Sequence, residues 1–209
     1  MGIQNEMDRK LLRTVLEASE VGGADEEDLQ EHARAIEELC NQGANPCAIN
    51  KISLMSVESS ALIVASSLAL PELVRMMLRS PQALANVNTI DETGDTALHA
   101  AIWRGSLECF KQLLPLSNVD IGNQQGQTPL MIALSDQEWE MFEALAPLSD
   151  LALVDKRGMT ALEQAEELSR LHSHLGWQRM AGILRATEES RKIESAAGPS
   201  KRAGRAQSL

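Results

Sequence analysis

The chain repeats itself every 32 residues, and this periodicity constrains its fold more than any other feature. Residues 94–117 read "GDTALHAAIWRGSLECFKQLLPLS" and residues 126–149 read "GQTPLMIALSDQEWEMFEALAPLS". Gly94 aligns with Gly126, Thr96 with Thr128, Leu98 with Leu130, Ala101 with Ala133 and Leu113 with Leu145, and "PLS" closes both copies. A third copy opens with "RGMTALEQA", which places Gly158, Thr160, Leu162 and Ala165 in the same register. A unit this short cannot bury its own apolar face, so the copies must stack on one another and share a continuous core.

The pattern G-x-T-A/P-L-H-x-A followed by a second apolar helix resembles the ankyrin repeat. Upstream, "SALIVASSLALPELVRMMLRS" (60–80) fits the same two-helix frame with Ser60, Leu62 and Ala65 in register. Glu58 stands where the turn glycine belongs, which predicts a degenerate hairpin before that pair. "IEELCNQGANP" (36–46) is similar to the end of the family's second helix. The resemblance is closest over 88–165, fair over 26–87 and loose beyond. It implies an all-α, ankyrin-repeat solenoid of stacked helix-turn-helix units with short projecting hairpins.

Each recurring residue has a physical task in such a frame. Gly94, Gly126 and Gly158 sit where a tight turn tolerates positive φ. Thr96, Thr128 and Thr160 suit the N-cap of the inner helix. Ala97, Pro129 and Ala161 occupy its first position, where the family often has Pro. Ala100, Ala101 and Ala133 let inner helices approach, and Leu98, Leu113 and Leu114 bury against the next unit. Gln137 replaces the glycine represented by Gly105, which leaves the turn between the helices of that repeat open.

The predicted organisation is an N-terminal cap with a degenerate first repeat (1–54), then repeats at about 55–90, 91–122, 123–154 and 155–187. Residues 188–209 lose apolar periodicity and read as a disordered basic tail. About seven extra residues near "EELSRLHSHLG" predict a lengthened last repeat.

Composition bounds the function classes. The chain of 209 residues carries a formal charge of −11. Residues 1–42 hold eleven acids against four bases, and the last 22 hold three acids and five bases. Such acidity disfavours nucleic acid and anionic membrane as partners. With no Tyr, two Phe and three Trp, the core must be built from aliphatic residues and Met. No apolar run reaches the length of a membrane-spanning helix. "MGIQNEMDRK" lacks a signal-peptide h-region, and Glu6 weighs against myristoylation at Gly2. The odd set Cys40, Cys47 and Cys109, without a CxxC pair, predicts free thiols in a reducing cytoplasm.

No residue constellation supports catalysis. His99 stands at the family's Leu-His position, where the resemblance implies a bond to the neighbouring loop's backbone. His172 and His174 lack further ligands at metal-site spacing. There is no phosphate-cradling loop, no GxGxxG and no GxSxG. The expectation is a non-enzyme without cofactor or metal, whose function lies in its surface.

In ankyrin folds the hairpin tips and the outward side of the inner helices form a concave face. Carried over position by position, that face comprises Asp91, Glu92, Thr93 and Asp95, then Gln124, Gln125 and Gln127, then Lys156, Arg157 and Met159. Its floor comprises Trp103, Arg104, Ser135 and Asp136. Trp103 is either a contact hot spot beside Arg104 or a side chain leaning on Leu68. Trp139 falls where the second helix packs inward. The expected function is protein–protein interaction, as an adaptor or inhibitor, by a protein that is monomeric on its own. A secreted bacterial effector or viral host-interaction factor is the alternative, and an enzyme with a site outside the repeats the remote one.

Overall fold

Helices of seven residues are marginal alone in water, so the architecture follows from what each one packs against. The computed structural model describes residues 2–20, 26–48, 50–52, 57–171 and 175–196. Among these the chain forms α1 (Gly2–Glu20), α2 (Glu26–Asn41), β1 (Asn50–Ile52), β2 (Val57–Ser59), α3 (Ala61–Ser67), α4 (Pro71–Met77) and α5 (Pro81–Asn86). There follow α6 (Ala97–Trp103), α7 (Leu107–Leu113), a 3-10 turn at Leu114–Leu116, α8 (Pro129–Ser135), α9 (Trp139–Leu145), α10 (Ala161–Leu171) and α11 (Leu175–Ala196).

The helices stand in two rows. α3, α6, α8 and α10 pack successively as the inner row, while α2, α4, α7 and α9 pack successively as the outer one. The cap helix α1 covers α3. Ala65, Ala101, Ala133 and Ala165, one per inner helix, are fully buried. With only a methyl group at the contact, successive inner helices can approach closely enough for Leu62, Leu98 and Leu130 to fill the space beside them. Phe110 and Phe142, the two phenylalanines of the chain, are also fully buried, on α7 and α9.

Local chemistry starts each inner helix. The hydroxyls of Ser60, Thr96 and Thr128 accept the backbone N–H three residues on, from Ile63, His99 and Met131. Pro129 opens α8, where its missing N–H costs no bond. The turn into the outer helix is the same three times. Leu70 N–H bonds to Ala65 C=O, Ser106 to Ala101 and Glu138 to Ala133. The residue before each donor has positive φ: Ala69 at 55°, Gly105 at 68° and Gln137 at 61°. Gln137 therefore preserves the turn that its identity left open, at a left-handed cost of ~1 kcal/mol for a residue with a Cβ.

Two expectations are corrected. The segment before α3 is a paired ribbon, with Asn50, Lys51 and Ile52 opposite Ser59, Glu58 and Val57. Three-residue strands do not need the turn glycine that the shorter hairpins use. The expected disordered tail also begins too early, because α11 is helical to Ala196, through residues 188–196. Arg191 explains the docking: its guanidinium donates to the backbone C=O of Ser149 at 2.7 Å, Pro147 at 2.9 Å and Ala146 at 3.4 Å. It thereby satisfies carbonyls that the end of α9 leaves over. The remaining tail residues, 197–209, and His172 and His174 lie outside the described residues.

Candidate functional site

Three projecting fingers share one internal architecture. In the first, Asp91 Oδ1 accepts the N–H groups of Thr93 and Asp95 at 2.9 and 3.1 Å. In the second, Asn123 Oδ1 takes Gln125 and Gln127 at 2.9 and 3.1 Å. In the third, Asp155 Oδ1 takes Arg157 and Met159 at 2.8 and 3.0 Å. A short side chain with an acceptor oxygen, recurring at 32-residue spacing, thus folds each tip over itself. The fingers then join. Gln124 N–H donates to Thr93 C=O at 2.9 Å, and Lys156 N–H to Gln125 C=O at 2.8 Å. Asn123 Nδ2 reaches back to Asp95 Oδ1 at 3.1 Å.

His99 links the floor to the fingers. Its ring is fully buried, and its Nδ1 accepts the Thr96 backbone N–H at 3.2 Å. Nε2 must then carry the proton, and it donates to Gln127 C=O on the next finger at 3.3 Å. Burial pushes its pKa below the usual 6.5, against the opposing pull of Asp95 and the backbone carbonyls of Gln127 and Ile121. A neutral imidazole with both nitrogens engaged is a structural tie, with neither nitrogen left for general acid–base work.

The expected surface residues divide into exposed side chains and side chains engaged in the frame. Glu92, Thr93, Gln124, Gln125, Lys156 and Arg157 are exposed on the tips, and Trp103, Arg104, Ser135 and Asp136 on the floor. Asp91, Asp95, Gln127 and Met159 are half-buried. Asp91 is thus primarily a finger-builder, and Gln127 supplies the carbonyl that holds His99. Trp103 remains 48% exposed. Its equivalents on the neighbouring inner helices, Ser67 and Ser135, are small and also exposed, so Trp103 is the one bulky side chain of that row across three repeats. Trp139 is half-buried and packs at the start of α9 against Gly176, where no side chain would fit. Desolvation pushes the carboxyls of Asp136 and Glu138 upward, and for Glu138 the Asp136 charge adds to it.

The thiols are buried and free. Burial, assisted by Glu37, pushes Cys40 up to about 11, and burial with Cys40 nearby pushes Cys47 up to about 12. Burial also raises Cys109. Thiols held protonated are poor nucleophiles and poor metal ligands.

Sequence reasoning passed over several residues. Asn123 and Asp155 carry the finger-building role, and their 32-residue spacing from Asp91 was the available signal. Gln164, buried on α10, donates to Asp155 Oδ2 at 3.2 Å, and nothing in the repeat pattern announces it. Leu84, Leu116 and Leu148 also recur at 32 and are 48, 39 and 55% exposed. Beside the third finger lies a groove of about 490 Å³ lined by Gly158, Met159, Glu163, Glu167, Arg170 and Leu171. Among the described residues no helix is long and apolar enough to cross a membrane.

Stacked helix pairs, capped by Ser or Thr at one end and joined through hydrogen-bonded fingers, define a solenoid repeat protein with a finger-and-floor surface. The family model for ankyrin repeats matches three copies in this chain, over residues 29–124 and 105–173. The chain belongs to the ankyrin-repeat family. Ankyrin repeats are in general modules for protein–protein interaction, and proteins built from them are typically non-catalytic. No curated protein matches the chain.

Proposed function

We propose that the protein binds another protein through the face formed by the three fingertips and the floor around Trp103, and acts as an adaptor or as an inhibitor that occludes its partner. The observation that carries this reading is Trp103, 48% exposed between the serine-bearing positions of adjacent helices. Covering the exposed half of a tryptophan removes roughly 100 Å² of mostly apolar surface from water, worth ~2 kcal/mol. The frame beneath is already ordered by backbone bonds between fingers, so little conformational freedom is lost when a partner docks. Arg104, the next residue along the chain and likewise exposed, adds a planar donor of the kind enriched at interface hot spots.

The test is affinity capture with the wild type beside a Trp103→Ala, Glu92→Lys variant, after circular dichroism has shown equal helicity. Asp91 is left intact because its carboxylate builds the finger. A partner held by the wild type and released by the variant supports this face. A partner held equally by both moves the site to the cap, the groove beside α10, or α11.

A further inference from the structure

The three fingers are equivalent in backbone and unlike in charge. Residues 91–95 read "DETGD", 123–127 read "NQQGQ" and 155–159 read "DKRGM". Their formal charges are −3, 0 and +1 in that order. None of Asp91, Glu92 or Asp95 is in an ion pair among the described residues, so no cation offsets the formal charge of the first tip there. At the third tip Asp155 is buried and engaged by Arg157 Nε at 3.0 Å, with Gln164 on its other side, and Arg157 Nη1 also pairs with Glu167 of α10 at 3.6 Å. That leaves Lys156 as an exposed cation outside any ion pair there. A tip with a formal charge of +1 runs against the overall charge of −11, which favours basic partners.

Resting on the docking face proposed above, we infer that the partner presents an extended segment with segregated charge, basic side chains against the finger at 91–95 and acidic ones against the finger at 155–159. The backbone bonds Gln124 to Thr93 and Lys156 to Gln125 fix the tips in a row, so their separation does not adapt to the ligand. Neighbouring packed helices lie about 8–10 Å apart, which puts the outer two tips roughly 16–20 Å from each other. An extended chain rises about 3.3 Å per residue, so about five or six residues separate the basic and acidic ends. The uncharged middle tip, with Gln124, Gln125 and Gln127, imposes no sign on the segment's centre. Such a surface selects against uniformly basic segments at one end and uniformly acidic ones at the other, which is specificity by repulsion as much as by attraction.

The experiment titrates ¹⁵N-labelled full-length protein at low salt with four blocked nonapeptides: three Lys and three Glu at opposite ends of a Gly-Ser-Gly centre, the same composition alternating, all-Lys ends, and all-Glu ends. The segregated peptide is expected to bind at least about fivefold tighter than the alternating one, to shift the amides of Glu92 and Lys156 together, and to lose its advantage at 0.5 M NaCl. Lys156→Glu is expected to transfer the preference to the peptide with all-Lys ends. Lys156 is exposed and its side chain lies outside the finger-building bonds, so the substitution leaves the fold intact. Equal affinities for the segregated and alternating peptides overturn the polarity. If the shifts still map to the fingertips in that case, the docking face itself stands. Shifts confined to α11 or the cap overturn both readings.

Discussion

The repeat in the middle of the stack and the repeat at its end solve the same problem with different means. α6 and α8 manage with seven residues each because a neighbour lies on both sides, and the fingers before them are tied to the next finger through its backbone. Among the described residues the last repeat has a neighbouring repeat on one side only. Its helices lengthen to 11 and 22 residues. Its ties turn inward: Thr160 and Glu163 form the same reciprocal cap as Thr96 and His99, but without the further bond that His99 makes to the next finger, and Asp155 is bound by its own Arg157 and Gln164. Glu163 stands where His99 and Met131 stand in the repeats before it, and where those two are buried, Glu163 is exposed along the groove beside α10. Interior repeats take their stability from contact with the next copy, and a terminal repeat replaces that contact with polar bonds to itself.

The largest expected effects come from cutting interior ties. His99→Ala leaves the Thr96 N–H without its partner, removes one of the two bonds to the Gln127 carbonyl (the Asn123 N–H keeps the other) and empties a buried site, and should lower unfolding stability by ~3 kcal/mol in urea titrations. Glu163→Ala, the equivalent position at the end, should move the urea midpoint far less, since its carboxylate is exposed and serves only its own cap.

Acid titration should separate the two regions next. His99 has a folded pKa below 6.5, so between the two values the unfolded chain binds more protons than the folded one. Its contribution is complete above pH 6.5 and declines as pH falls below that value. For Asp155, burial alone would raise the pKa, but the backbone N–H groups of Met159 and Arg157 and the Arg157 guanidinium outweigh it and hold it below 3.8. Its contribution is therefore present above 3.8 and is lost only as pH falls further. Stability followed from pH 8 to pH 3 should show the interior loss first, and His99→Gln should remove that first step.

Arg191→Ala should cost ~1 kcal/mol and raise hydrogen exchange in residues 188–196 while α6 and α8 stay protected. The smallest effect is a gain. Gln137→Gly removes the left-handed penalty at φ 61° but adds freedom to the unfolded chain, for a net stabilisation of ~0.5 kcal/mol by thermal melt.

The stacked body was legible from the sequence because every residue that builds it recurs at a fixed offset. Thr96 and Thr128 cap as their hydroxyls require, the buried alanine of each inner helix falls in register, and Leu98 and Leu113 are fully buried while Leu114 is half-buried. What escaped was whatever depended on a contact made once. Arg191 is one cation in a charged segment, and only the folded chain brings the carbonyls after α9 within its reach. The ribbon before α3 was obscured because its pairing rests on backbone bonds and not on a diagnostic glycine. On the surface, exposure of Trp103 followed from its frame position, whereas the division of the tip residues into finger-builders and free side chains did not. Asp91 and Glu92 are neighbours with similar chemistry, and only the direction of the Asp91 carboxylate into its own loop distinguishes them.

The most direct test of neighbour-dependent stability uses two glycines with the same backbone angle. Gly94 and Gly158 both have φ of 79°. A Cβ at Gly94 would lie 2.6 Å from the backbone nitrogen of Gln124 on the next finger, whereas a Cβ at Gly158 meets nothing within 4 Å. The left-handed penalty for alanine, ~1 kcal/mol, is common to both sites. Urea unfolding of Gly94→Ala and Gly158→Ala should therefore differ, with Gly94→Ala losing a further ~1–3 kcal/mol as the fingers are forced apart. Equal losses at the two sites would contradict the account, because they would mean that the next finger contributes nothing to holding the one before it.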